Sequence, residues 1–96
     1  MVEKLDMMED RKSDKRYSRS LIGKTVVSKS GKRFGEVSDL TFDTKTGELI
    51  HIMLKNPTGY CEGLEIERDK DGTFLIPYSS VLAIGDYIVV AEEDII

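Results

Sequence analysis

Beyond residue 20 the chain is broken at short intervals by turn-forming residues: SGKR (30–33), TKTG (44–47), NPTG (56–59) and DKDG (69–72). Glycine in such turns reaches positive φ without steric cost, and Pro57 has no N–H to give to a strand ladder. The segments between these breaks show strand alternation rather than helical periodicity. KTVVSK (24–29), FGEVSDLTFD (34–43), ELIHIMLK (48–55), LEIER (64–68), TFLIP (73–77), VLAIG (81–85) and DYIVVA (86–91) read as strands, and PYSSV (77–81) as a single turn of 3₁₀ character. Six or seven short strands joined by tight turns predict an all-β domain over residues 20–96, a small closed or nearly closed β-barrel.

The second strand changes parity partway along. Val37 points one way, whereas Leu40 and Phe42 occupy positions of opposite parity. A β-bulge near Ser38 and Asp39 brings all three to one face, and a small barrel needs such bends to close. Asp39 then has a local task, bonding nearby backbone where the ladder is broken.

Strand three is apolar on both faces. Ile50, Ile52 and Leu54 share one side, and Leu49 and Met53 lie on the other with His51 between them. A half-exposed strand should alternate apolar with polar residues, so the second face is expected to pack on something further. Burying Leu49 and Met53 supplies about 3–5 kcal/mol, which is large beside the stability of a small domain. Leu49, His51 and Met53, helped by Tyr87 and Val89 of the last strand, are therefore the candidate subunit interface.

Charge divides the chain. Residues 1–10 carry one Lys and four acids, net −3; residues 11–19 carry five basic residues and one Asp, net +4; residues 20–96 carry eight basic and thirteen acidic residues, net −5. An acidic core repels a phosphate backbone, so nucleic acid is not an expected partner. Residues 1–19 read as a disordered, charged tail. Within it Val2, Leu5 and Met8 recur every three residues and could dock on a partner; Ile95 and Ile96 are the corresponding apolar candidates at the other end. The single Cys61 allows no internal disulfide and fits a reducing compartment, and no apolar run is long enough to span a bilayer. A cytoplasmic protein that meets membrane only indirectly is expected.

Catalytic and metal chemistry find little support. Asp39, Asp43 and Glu48 suggest a hard-cation site, but Lys45 interrupts the alternation of oxygens such a loop needs, and DTKTGE reads as a solvated hairpin turn. His51 is the only histidine, with no Cys or second His near it in sequence, and the pattern signals neither the nucleophile nor the orienting partner a general base needs. Cys61 stands beside Glu62, which disfavours a thiolate, and reads as a small core filler. No cofactor is implied.

Leu21-Ile22-Gly23-Lys24, Gly31, Gly35-Glu36-Val37 with Asp39, Phe42-Asp43 with Thr46-Gly47-Glu48, and Ile76-Pro77 through Val90 together resemble the PRC-barrel. That module occurs in the photosynthetic reaction-centre H subunit, in a ribosome-maturation factor and in small stand-alone archaeal proteins. The resemblance implies a six-stranded antiparallel barrel without catalytic machinery, acting as an adaptor. The short chain with its charged tail is most similar to the archaeal stand-alone type. Some of those proteins form homo- or heterodimers and act in cell division with the SepF-type anchor of the tubulin-like division ring. The ribosome-associated branch implies a different role, an accessory module near RNA, but that branch carries an additional N-terminal domain.

Overall fold

A computed structural model describes residues 19–95. The tail 1–18 and Ile96 fall outside the described residues, and with them the expectations for Val2, Leu5, Met8 and Ile96.

Six strands follow one another: β1 (Thr25–Ser28), β2 (Arg33–Phe42), β3 (Leu49–Lys55), β4 (Leu75–Pro77), β5 (Val81–Ile84) and β6 (Tyr87–Val90). A four-residue helix, α1 (Gly59–Glu62), lies between β3 and β4, and 3₁₀ turns occupy Tyr78–Ser80 and Glu92–Asp94. All strands belong to one sheet in the order β4-β3-β2-β1-β6-β5. The all-β class is thus as expected, and so is the 3₁₀ turn after Pro77. LEIER is not a strand; only Arg68 makes an isolated bridge, opposite Phe74.

Two details of the expected barrel need correction. The sheet is mixed, because β1 pairs with β6 in parallel, Thr25 opposite Tyr87 and Ser28 opposite Val90. It is also not closed, since β4 and β5 are its two ends and do not pair with each other. Strand parity explains both. The turns after β1, β2 and β5 reverse the chain, and so does the long connection after β3, giving antiparallel neighbours. The Tyr78–Ser80 turn is instead a corner that carries the chain onward in the direction of β4. One reversal is lost, so β6 arrives pointing the same way as β1. The two ends of the sheet are consequently two halves of one bent stretch, joined by three residues, and the sheet must curl to let them meet at that corner.

The curl encloses a core that includes Phe34, Val37, Ile52, Ile76, Ile88 and Val90, all fully buried. β1 and β6 alternate cleanly, with Val26, Ser28, Ile88 and Val90 inward. α1 folds against β2: its N-cap Thr58 accepts the Cys61 N–H at 3.3 Å and donates its hydroxyl to the Arg33 carbonyl at 2.6 Å. Tyr60 meets Phe34 edge to face, ring centres 5.6 Å apart. Cys61 is wholly buried, and burial above all pushes its thiol up to about 11.

Candidate interaction surfaces

The anticipated bulge in β2 is present. Val37 pairs with Leu54 and Asp39 with Met53, leaving Ser38 as the extra residue. Val37 and Leu40 both turn toward the core, and Ser38 spends its hydroxyl on the Met53 carbonyl at 3.0 Å. Asp39 behaves as a local backbone partner, accepting the Leu40 N–H at 2.8 Å. Asp43 organises the next turn by accepting the N–H groups of Lys45 at 2.7 Å and Thr46 at 3.0 Å. Those bonds, Thr46 first, hold its carboxyl below its ordinary range. Two of the three acids considered as cation ligands are therefore engaged with neighbouring backbone.

A second bulge was not foreseen and changes the account of strand three. Thr41 pairs with His51 but Phe42 pairs with Leu49, so Ile50 is the extra residue. The inward face passes from Leu54 and Ile52 to Leu49, while Ile50 is exposed. Leu49 is half-buried and packs against the core of its own chain. The doubled apolar character of this strand is thus resolved at its start by a register shift, not by a neighbour.

His51 and Met53 do lie on the outer face, both half-buried. His51 Nδ1 is 3.3 Å from the Thr41 hydroxyl, and its Nε2 is 3.5 Å from a carboxylate oxygen of Glu67. Thr41 Oγ1 also accepts the His51 backbone N–H at 3.1 Å, so the ring is fixed from both sides. Met53 lies between Asp39 on β2 and Leu75 on β4. Leu75 is itself buried and donates its N–H to the Glu67 carbonyl at 2.8 Å, so the chain before β4 folds against this end of the sheet.

Tyr87 and Val89 occupy a different region. Two strands, β2 and β1, separate β3 from β6, a span of about 14 Å measured along the sheet before its curl is considered. The five candidate interface residues therefore fall into two groups, Leu49, His51 and Met53 on β3 and Tyr87 and Val89 on β6, with two strands between them. Around Tyr87 and Val89 the outer face is more apolar than around His51: Val27 of β1 is directly opposite Val89, and Ala83 of β5 is opposite it on the other side. A bulge at Leu82 leaves both Leu82 and Ala83 exposed. Tyr87 at 58% and Leu82 at 55% are the most exposed large apolar side chains among the described residues. Leu82 was missed from sequence because it sits in an uninterrupted apolar run.

At the C-terminus Ile95 packs on the core. The turn before it is held by the Tyr60 hydroxyl, which donates to Glu92 at 2.9 Å, and by Lys29 on Glu93 at 2.7 Å. No group of three or more His, Cys, Asp or Glu side chains is arranged for a metal among the described residues, and no helix there is long and apolar enough to cross a membrane.

An uncharacterized protein of Methanocaldococcus jannaschii, MJ1118, is 29% identical over 82 residues, covering 85% of this chain and 88% of that one. A sequence model of the PRC-barrel domain matches residues 13–94. That match takes in all six strands, the bulges and the corner between β4 and β5, and the chain belongs to the PRC-barrel family.

Proposed function

We propose that the chain is a non-catalytic adaptor that joins proteins, working as a homodimer or as a heterodimer with a related PRC-barrel. The observation that carries this is the outer apolar side of β1, β6 and β5, where Val27, Val89 and Ala83 are cross-strand neighbours and Tyr87 and Leu82 are exposed, in a molecule that is otherwise acidic. Contiguous apolar surface on a small domain marks a contact site. The N-terminal residues Val2, Leu5 and Met8 and the terminal Ile96 are further points for a partner to grip, whereas Ile95 is taken up by its own core.

The setting we favour is archaeal cell division, beside the SepF-type anchor of the tubulin-like ring; an archaeal relative of nearly equal length supports the stand-alone type. Membrane contact would then be indirect, through the anchor. Size-exclusion chromatography with light scattering at tens of micromolar is expected to give twice the chain mass, and a monomer removes the dimer. Affinity purification with mass spectrometry is expected to recover division proteins. Recovery of ribosomal proteins instead would move the assignment to ribosome maturation.

A further inference from the structure

The two ends of the sheet are finished differently. Beside β4 runs the chain before it: the Leu75 N–H donates to the Glu67 carbonyl, and Arg68 bridges Phe74 with its guanidinium carbon 4.1 Å from that ring's centre. β5 has β6 on one side and, among the described residues, no strand on the other. A bare strand edge presents unpaired N–H and C=O groups, and what fits them is another extended backbone.

From these observations we propose that β5 pairs with β5 of a second copy, antiparallel across a twofold axis, so that two six-stranded sheets become one. This rests on the dimeric function above and assigns its seam. Charge selects the occupant. Residues 72–85, GTFLIPYSSVLAIG, form the longest stretch of the chain without a charged residue, in a sequence that is one-third charged. Residues 20–96 carry net −5, so two copies repel each other over most of their surface and meet most easily where charge is missing. Lysines or prolines usually guard exposed edges; Val81–Ile84 has neither. The bulge exposes Leu82 and Ala83 at this edge, and Tyr87 stands on the adjoining strand, so apolar burial accompanies a short run of backbone bonds. Antiparallel self-pairing is isologous, and the pairing closes at two copies.

Hydrogen exchange on the unmodified full-length protein, read across a dilution series, tests the seam. Amides of β5 are expected to gain about tenfold protection as the dimer forms, while those of β3 stay unchanged. Ala83→Lys puts a positive charge from each copy into the short seam and is expected to raise the dimer dissociation constant about tenfold with an unaltered circular dichroism spectrum. A dimer by light scattering whose β5 amides exchange at the monomer rate overturns the seam and leaves the dimeric function standing. A monomer at every concentration overturns both.

Discussion

At Gly35, β2 passes so close to the chain leaving β3 that a methyl group would stand 2.9 Å from the Lys55 carbonyl oxygen, and its φ of +157° is one that side chains disfavour. Gly35→Ala is therefore expected to cost about 2–3 kcal/mol in urea denaturation, since backbone strain and a clash with rigid main chain act together. Asp43 offers a test by pH. Its folded carboxyl titrates below the unfolded value, so the stability it lends is present above the unfolded pKa and is lost as pH falls through the folded one. Asp43→Asn is expected to flatten that acid limb in thermal melts between neutral pH and the bottom of the carboxylate range. The tasks of Asp39 and Asp43 were legible in the sequence because both bond backbone within three residues of themselves. The partners of His51 were not: Thr41 and Glu67 lie 10 and 16 residues away and meet it only through strand register and the fold of the chain before β4.

Among the elements, the bulges show where pattern reading succeeds. Ser38 betrays itself because polar and apolar positions exchange parity around it, whereas Ile50 and Leu82 hide in runs where every residue is apolar. Deleting Ser38 removes the bulge but leaves Val37 and Leu40 two positions apart on one face, so we expect the variant to keep its strand register and cooperative unfolding by circular dichroism and to lose only the bend. α1 escaped notice because four residues carry no periodicity; Thr58 as its N-cap was the one available sign. Ile95 packs half-buried against the core beyond the closing turn, so Ile95→Ala is expected to lower stability by about 1 kcal/mol.

For the molecule as a whole, the class and the acidic balance could be read directly, but LEIER was counted as a strand and the mixed sheet could not be foreseen. Whether PYSSV reverses the chain or turns a corner depends on how β4 and β5 settle against the rest of the sheet, which no local residue pattern encodes. The acidic balance predicts that neither RNA nor duplex DNA is retarded in gel-shift assays at physiological salt with tens of micromolar protein. The parallel pair has a further effect in time. β6 is made well after β1, their facing residues Thr25 and Tyr87 being 62 positions apart. A nascent chain therefore leaves one flank of β1 without its partner until β6 has cleared the ribosome exit tunnel, and the sheet is completed only then.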